Sequence, residues 1–237
     1  MLVKESKEYA NISTGNTKMP GTTFAIDAFA CITGSKLAKI EGTPCFNCYA
    51  RKLQKIRPSV DQGWKANLSK WKKANKSKWI AANVFQIKRY NVDGYHRWFD
   101  SGDLQSVEML SNIVDVALLT PEIKHWLPTQ ERGIVNDYIK EYGKIPTNLL
   151  IRVSASKVDT DNVPNFEHTS MVFTKNGSPI GKECRAYCTD KNNKVWNKKE
   201  FNELSRQDKK ELDFGHCGPC RACWDKSVPT TSYPIHK

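Results

Sequence analysis

Eight cysteines form two groups in this 237-residue chain, and residues 49–183 between the groups contain none. The first group is Cys31, Cys45 and Cys48, and the second is Cys184, Cys188, Cys217, Cys220 and Cys223. The chain begins without the apolar stretch of a signal peptide, so we expect it to stay in the reducing cytosol, where disulfides are disfavoured. Closely spaced cysteines there are more often metal ligands or redox groups, and the sequence therefore predicts two metal sites.

The first group has the donor set of an iron–sulfur cluster. Cys45 and Cys48 have C-x2-C spacing at the start of a predicted helix, whose N-terminal amides favour thiolate. Cys31 is the natural third ligand. Because a closed structural zinc site takes four ligands, three cysteines suit a cluster with one iron open to substrate. A zinc site completed by a distant Cys or His is the alternative.

The second group has more ligands than a single site needs. Cys217, Cys220 and Cys223 match the first part of a bacterial ferredoxin run, so a fourth ligand must come from Cys184 or Cys188. Alternatively, Cys184, Cys188, Cys217 and Cys220 form a four-thiolate zinc site and Cys223 is spare. The spacing does not distinguish iron from zinc, and a purely structural role is compatible with either metal.

The elements around these cysteines alternate between strands and helices. Buried strands are predicted at residues 22–30, 96–99, 116–119, 148–153 and 169–174, and helices at residues 49–82 with an interruption at Pro58, 104–114, 121–142 and 198–212. This alternation favours an α/β fold with a parallel sheet, either open or curled into a partial (β/α) barrel. We expect the barrel to span residues 1–174, and a small Cys-rich metal-binding appendage to span residues 175–237.

Polar residues follow two of the predicted strands. Asp100, Ser101, Gly102 and Asp103 follow the second strand, and Ser154, Ala155 and Ser156 follow the fourth. Because parallel strands end at one edge of the sheet, we expect these side chains to share a site. The alternatives are a turn with Asp103 capping the next helix, and a solvated turn at the serines.

The charge balance favours a polyanionic partner. The chain carries 37 Lys and Arg against 25 Asp and Glu, a formal net charge of +12. Residues 63–92 contain no acid, and their basic residues are Lys65, Lys70, Lys72, Lys73, Lys76, Lys78, Lys88 and Arg89. Residues 191–199 add a second basic stretch. Trp64, Trp71 and Trp79 have core-facing helical spacing, so we do not expect them to stack on bases, and a solvated helix face is the alternative.

The string Cys45-Phe46-Asn47-Cys48-Tyr49-Ala50-Arg51, after the first strand, resembles the cluster loop of radical SAM proteins of the spore photoproduct lyase type and of small radical SAM-like phage proteins. The family's loop has a shorter interval between its first two cysteines, whereas thirteen residues separate Cys31 from Cys45. The resemblance implies that Cys31, Cys45 and Cys48 hold a [4Fe-4S] cluster whose free iron binds S-adenosylmethionine (SAM). It further implies that the site residues Asp100, Ser101, Gly102, Asp103, Ser154 and Ser156 face SAM.

The expected function is that of a radical SAM-like enzyme, in which reductive cleavage of SAM yields a 5′-deoxyadenosyl radical. The resemblance implies a reducing partner such as flavodoxin or ferredoxin and an auxiliary cluster at the C-terminal cysteines, where zinc is the other option. The charge makes nucleic acid the first substrate class to test. No apolar run approaches the roughly 18 residues of a membrane span, so we expect a cytoplasmic protein without membrane contact, in the host cytoplasm if it is phage-encoded.

Two alternative functions remain open. One is a non-catalytic, zinc-stabilised nucleic-acid-binding protein, which would contain zinc without iron and ignore SAM. The other is a degenerate family member that keeps its cluster but has lost turnover, which the long interval between Cys31 and Cys45 would permit.

Overall fold

The computed structural model describes residues 1–14 and 18–235, which form a mixed α/β fold with one seven-stranded sheet. Every strand pair is parallel, as the alternation of predicted elements indicates. The strands are β1 (Thr22–Phe24), β2 (Tyr95–Trp98), β3 (Lys124–Thr129), β4 (Leu149–Val158), β5 (Thr169–Phe173), β6 (Lys182–Glu183) and β7 (Thr230–Pro234).

Nine α-helices occur in the described residues: α1 (Val3–Tyr9), α2 (Ile32–Leu37), α3 (Tyr49–Ile56), α4 (Pro58–Lys73), α5 (Lys76–Tyr90), α6 (Val107–Leu118), α7 (Arg132–Tyr142), α8 (Lys198–Glu203) and α9 (Arg206–Leu212). Pro58 occupies the first turn of α4, where its missing N–H leaves no bond unmade, and it separates α3 from α4 as predicted. None of these helices combines the length and the apolar character that a membrane span requires.

The strand order is β1-β2-β3-β4-β5-β7-β6, so the first five strands lie in chain order without a reversal. Parallel neighbours end at the same edge of a sheet, and β1 to β5 therefore deliver the loops that follow them to one edge. The edge strands are β1 and β6, and the sheet is not closed. Residues 175–237 contribute β6 and β7 to this sheet, with β7 paired to β5.

The main core lies between one face of the sheet and helices α4 to α7. Phe24 of β1 contacts the rings of Trp79 and Trp98 edge-to-face, with centroids 5.7 and 5.5 Å away. Trp79 is fully buried and Trp71 packs against the same cluster, which confirms that these two tryptophans face the core. Burial of such large rings is the main apolar contribution to holding the helices on the sheet.

The C-terminal segment covers part of the opposite face. Trp224 packs against Trp126 of β3 and Leu150 of β4. The guanidinium of Arg152, fully buried on β4, donates to six backbone carbonyls, five of them in residues 222–229 and one at Thr169. These bonds satisfy the Arg152 donors and fix the segment to β4.

Three predicted elements are wrong in whole or in part, and one of them is the helix predicted at residues 121–142, of which only Arg132–Tyr142 is helical. Residues 116–119 form the end of α6 and not a strand, since a short apolar run does not distinguish a strand from a buried helix. The strand that follows this helix is β3, which the sequence pattern does not predict because Lys124, His125 and Pro128 interrupt its apolar residues. The first predicted strand is also shorter, because only Thr22–Phe24 pairs and residues 28–30 form a 3-10 turn.

Two predicted strand ends also differ in detail. Ser154 and Ser156 lie within β4, which continues to Val158, and not in a loop after it. Asp103 does not cap the following helix. The hydroxyl of Ser106 does so, accepting the N–H of Met109 at 3.1 Å, and the helix starts three residues later than predicted, at Val107.

Candidate functional site

A cleft of about 380 Å³ opens at the edge of the sheet where β1 to β5 end. Residues of the first cysteine group and of the turn after β2 line the same cleft: Cys31, Cys45, Cys48, Asp100, Ser101, Gly102 and Asp103. Aromatic side chains of the sheet, among them Trp126 and Tyr233, form other parts of its wall. The chemistry-bearing residues singled out in the N-terminal two thirds of the sequence thus converge, with Ser156 as the exception.

The cysteine loop runs from the end of β1 to α3. Asp27 accepts the N–H of Phe29 and starts a 3-10 turn that ends at Cys31, the residue preceding α2. Cys45 and Cys48 form a tight turn, in which the N–H of Cys48 donates to the Cys45 carbonyl at 3.3 Å, and α3 begins at the next residue. The expected position of Cys48 at a helix N-terminus is therefore confirmed.

The thirteen residues between Cys31 and Cys45 extend across the strand ends. The Glu131 carboxylate, just after β3, accepts the N–H and the hydroxyl of Thr33 at 2.7 and 2.8 Å. Further on, the Gly42 carbonyl accepts the N–H of Val158 at the end of β4, at 2.8 Å. These two attachments return the chain to the cleft, so the long interval does not keep Cys31 away from Cys45.

Gly34, on α2, leaves the space beside two thiols open. A Cβ atom at this position would lie 3.0 Å from Cys31 Cβ, 3.6 Å from Cys45 Sγ and 3.7 Å from Cys31 Sγ. Three thiols on one cleft wall are also the donor set that leaves one iron of a cluster free. The residues therefore fit a cluster in donor type and location.

The described residues hold no preformed group of three or more His, Cys, Asp or Glu side chains at metal-binding geometry. Burial raises the pKa of the Cys45 thiol to about 12, and burial followed by the nearby Asp103 raises the pKa of Cys31 further. Without a cation these thiols are protonated, and a bound metal reverses that balance because its ligands must be thiolates. Binding would therefore draw the three sulfurs together and release protons.

The turn after β2 packs tightly against the loop after β1. Gly102 has φ +83°, and a Cβ there would lie 2.2 Å from Ile26 Cγ1, so only glycine fits. The Ser101 carbonyl also accepts the N–H of Ile26 at 3.0 Å. Phe99, just before this turn, has φ +53°, an uncommon conformation for a bulky residue and one that recurs at functional sites.

Two carboxylates in this turn are buried differently. Asp103 accepts the Thr129 hydroxyl at 2.6 Å and the Gln130 N–H at 2.8 Å, yet burial outweighs these bonds and raises its pKa to about 7. Burial also raises the pKa of Asp100, and Arg97 opposes that rise. Asp100 Oδ1 and the Ser101 hydroxyl are buried without a hydrogen-bond partner among the described residues, so both are available to a ligand.

The two serines of β4 separate. Ser154 lines the cleft and shares a hydrogen bond of 3.0 Å with the hydroxyl of Ser170 on β5. Ser156 is not among the cleft residues, and its hydroxyl accepts a hydrogen bond from Arg132 at 3.0 Å. The pairing of β4 with β5 shifts register between Ser154 and Val158, so a spacing of two does not place both serines in the cleft.

Sequence reasoning missed Arg97, Tyr49 and Glu131. The Arg97 guanidinium lies in the cleft, 4.7 Å from the centroid of the Trp126 ring, and the Tyr49 hydroxyl donates to the Asp100 carbonyl. Arg97 lies in the strand predicted at residues 96–99. An arginine between His96 and Trp98 indicates that one face of this strand is polar. Glu131 was hidden because it follows β3, the strand that was not predicted.

Among the five C-terminal cysteines, pKa shifts link Cys184, Cys217, Cys220 and Cys223. Burial raises the pKa of Cys217 to about 11 and that of Cys223 to about 12, and in both cases nearby Cys184 adds to the effect. Cys220 likewise raises the pKa of Cys184 and that of Cys217. Cys184 directly follows β6, and its N–H donates to the Ser232 carbonyl of β7 at 2.8 Å, which places it at a strand end.

Cys188 has a different environment from these four. It is fully buried, and its thiol donates to the Arg185 carbonyl at 3.3 Å. Like Cys220, it raises the pKa of Cys184. Because the Cys188 thiol is bonded to the backbone and Cys184 lies at a strand end, we take Cys184 as the fourth cysteine of the group in the proposal below.

The C-terminal group lies beside the cleft. The thiol of Cys223 is 3.2 Å from the hydroxyl of Tyr233, and Tyr233 lines the cleft. Burial raises the pKa of Tyr233 well above its ordinary value, and Cys223 adds to the rise. Tyr233 thus lies between Cys223 of the second group and the cleft that the first group lines.

The basic stretch of residues 63–92 forms parts of α4 and α5. Lys72, Lys73 and Lys78 are exposed, and Lys76 pairs with Glu108. Trp79 is buried, so this surface presents cations without that ring.

Comparison with known proteins gives one match. A family model described as Gene product 88 matches residues 4–226, a range that includes both cysteine groups and every residue of the turn after β2. The description of this family names no activity, cofactor or substrate. No curated protein and no solved structure matches the chain.

Proposed function

This chain belongs to the Gene product 88 family, and we propose that it is a radical SAM-like iron–sulfur enzyme whose cleft holds a [4Fe-4S] cluster and SAM. The observation that carries the proposal is the convergence of Cys31, Cys45 and Cys48 with the turn after β2 on one cleft. That cleft lies at the carboxyl ends of parallel strands, where folds of this kind bind ligands.

The strand order supports a partial (β/α) barrel for residues 1–174. Five parallel strands in chain order wind in one direction as in a barrel, whereas doubly wound sheets reverse their order. In this proposal residues 175–237 form an extension that carries the second cysteine group and adds β6 and β7 to the open side.

The first group would hold the cluster through its three thiolates, beside the space that Gly34 leaves open. When bound, such a cluster supplies the electron for reductive cleavage of SAM to methionine and a 5′-deoxyadenosyl radical. Glu131 holds the intervening segment in place by accepting two hydrogen bonds from Thr33. This attachment sets the position of Cys31 relative to the turn at Cys45.

Other residues of the chain would bind SAM and exclude water. Asp100 Oδ1 and the Ser101 hydroxyl, buried without partners among the described residues, are suited to an ammonium group and to a polar ligand atom, respectively. Gly102 keeps this turn against Ile26, and Ser154 faces the cleft from β4. The buried rings around the cleft limit the access of water to a reactive intermediate.

The second group would hold a closed four-thiolate centre, either another [4Fe-4S] cluster or zinc, through Cys184, Cys217, Cys220 and Cys223. Four ligands leave no open position, so this centre stabilises the extension or passes electrons and does not bind SAM. A flavodoxin or a ferredoxin is the kind of reductant that the first site would require.

The rival function is a zinc-stabilised nucleic-acid-binding protein without catalysis. Exposed lysines on α4 and α5, together with the net charge of +12, favour it. It requires zinc without iron at both cysteine groups, and indifference to SAM.

Metal analysis of protein purified without oxygen tests these functions. We expect about four irons with matching sulfide for one cluster, or about eight for two. Cys48→Ala should lose the iron of the first group, whereas Cys188→Ala, the matched control, should keep all of it. SAM cleavage after chemical reduction should follow the first-group iron. Zinc alone, or full iron in Cys48→Ala, would contradict the proposal.

A further inference from the structure

The cysteine loop carries a dense positive charge at the cleft. Residues 29–57 contain six basic residues and a single acid, Glu41. The basic residues are Lys36, Lys39, Arg51, Lys52, Lys55 and Arg57. All of them are exposed except Arg51, which is half-buried. Such a field attracts polyanions to the entrance of the cleft.

The same segment exposes three aromatic rings. Phe29, Phe46 and Tyr49 are 38%, 44% and 46% exposed, and none of them belongs to the buried clusters of the described residues. Phe46 lies between two of the cluster cysteines, and the Arg51 guanidinium stacks over the Phe29 ring, 4.6 Å from its centroid. Exposed rings beside cations are a platform for stacking and for binding phosphates.

The segment is fixed over the strand ends, and of its three exposed rings Tyr49 lines the cleft. The attachments are those of Thr33 to Glu131, of Gly42 to Val158 and of Tyr49 to Asp100. The exposed side chains of residues 29–57 are called the rim below. A strand of nucleic acid lying along the rim would pass directly over the cleft.

We propose that the rim binds single-stranded nucleic acid, with Phe29, Phe46 and Tyr49 stacking on bases and the rim lysines contacting phosphates. This inference rests on the proposed function and names its substrate class, since an enzyme that modifies a base must receive it unstacked in its cleft. The lysine content argues against a protein partner, because the centres of protein interfaces are depleted in lysine.

The rim differs from the basic stretch on α4 and α5, where the sequence pointed first. That stretch has exposed lysines, but Trp79 is buried and Trp71 packs against the core. Cations without exposed rings can attract a phosphate backbone but do not stack on bases. The structure thus moves the nucleic-acid contact from residues 63–92 to residues 29–57.

The test is fluorescence anisotropy with a labelled single strand of about 12 nucleotides, as DNA and as RNA. Three double variants remove the same charge: Lys36→Ser with Lys39→Ser in the rim, Lys72→Ser with Lys73→Ser on α4, and Lys198→Ser with Lys199→Ser on α8. We expect about tenfold weaker binding for the rim pair, with the salt dependence reduced by a slope of about 1.4, and near wild-type binding for the other pairs.

Phe46→Ala separates stacking from charge. It should weaken binding about tenfold without changing the salt dependence, because no phosphate contact is lost. Circular dichroism of each variant verifies that it is folded. Wild-type affinity in both rim variants would overturn the proposal, as would a loss confined to the α4 pair.

Two further outcomes separate this inference from the proposed function. Oligonucleotide binding is measured with and without metal, so rim binding in a protein that contains only zinc supports the rim and rejects the enzyme. Conversely, rim variants that bind oligonucleotide normally but no longer accept electrons from a flavodoxin would identify the rim as a docking surface for an acidic protein and overturn the proposal.

Discussion

The two cysteine groups of this protein differ in number and in surroundings. The first supplies three thiols to a cleft wall, next to two buried polar atoms without partners among the described residues. The second has four cysteines that we propose as ligands in the C-terminal segment, with a fifth, Cys188, bonded to the backbone. Three ligands leave an open position and four do not, so we expect reactivity at the first group and closed coordination at the second.

The two groups are also attached to the sheet in different ways. A carboxylate, that of Glu131, holds the first loop through two hydrogen bonds to Thr33. A cation holds the second segment, since Arg152 donates to five carbonyls in residues 222–229. The second attachment has more bonds and its cation is buried, which suits a segment that does not have to move.

The largest expected effect concerns the membership of the second group. Cys184→Ser should abolish metal binding at the C-terminal cysteines, because a closed site loses one of its four ligands. Cys188→Ser should retain the metal, and its hydroxyl can still donate to the Arg185 carbonyl. Elemental analysis of iron and zinc per chain measures both variants.

The first group is the internal reference for this pair of variants. Its iron should be unchanged in Cys184→Ser, so the total metal content falls by one site only. If Cys188→Ser lost metal and Cys184→Ser kept it, the assignment of the fourth ligand would be reversed, and the contrast between a clustered and an isolated cysteine would be wrong.

Loss of the buried cation should have the next largest effect. Arg152→Lys retains the charge but supplies fewer donors, so several carbonyls lose their charged partner, which costs about 3 kcal/mol of unfolding free energy. Urea denaturation measures this change. The exposed Arg206→Lys on α9 is the matched control and should stay within about 0.5 kcal/mol of wild type. An equally small change in Arg152→Lys would show that the segment is held by its apolar contacts.

Much of the fold could be predicted from the sequence because local patterns dominate in it. The strand predicted at residues 96–99 is offset by one residue from β2, and Pro58 marks the break between two helices. The pattern failed at β3, where the buried Trp126 and Leu127 stand among Lys124, His125 and Pro128 and give no continuous apolar run. An apolar helix end nearby took the place of this strand in the prediction.

The residue types of the site could be predicted from the sequence, but the contacts between its residues could not. The C-x2-C spacing predicts Cys45 and Cys48 as ligands and leaves Cys31 as the natural third, yet the loop between Cys31 and Cys45 is held by Glu131, almost a hundred residues further along the chain. Similarly, the choice of Cys184 over Cys188 follows from the pairing of β6 with β7, which brings Cys184 to Ser232. Contacts over such sequence separations are set by the packed sheet and leave no local pattern.

The smallest expected effect is a pH dependence that only the first group should have, since Asp103 is buried beside it. The pKa of Asp103 is about 7 in the folded, metal-free protein, above its ordinary value of 3.8. Between these values the folded state holds a proton that the unfolded chain has released, so the unfolding free energy falls as pH rises through this window.

For one such group the fall is about 1 kcal/mol between pH 6 and pH 7. Asp103→Asn should remove this contribution, because the amide does not titrate, so the unfolding free energy of the wild type should fall relative to that of the variant between pH 6 and pH 7. The buried His96 and His125, whose pKa burial lowers, add a rise with pH that is common to both proteins. The exposed Asp137→Asn on α7 is the matched control and should keep the wild-type slope. Urea denaturation of the metal-free proteins at both pH values measures the difference. A wild-type slope in Asp103→Asn would mean that another group titrates here, and the cleft would then lack the buried proton that distinguishes it from the closed second group.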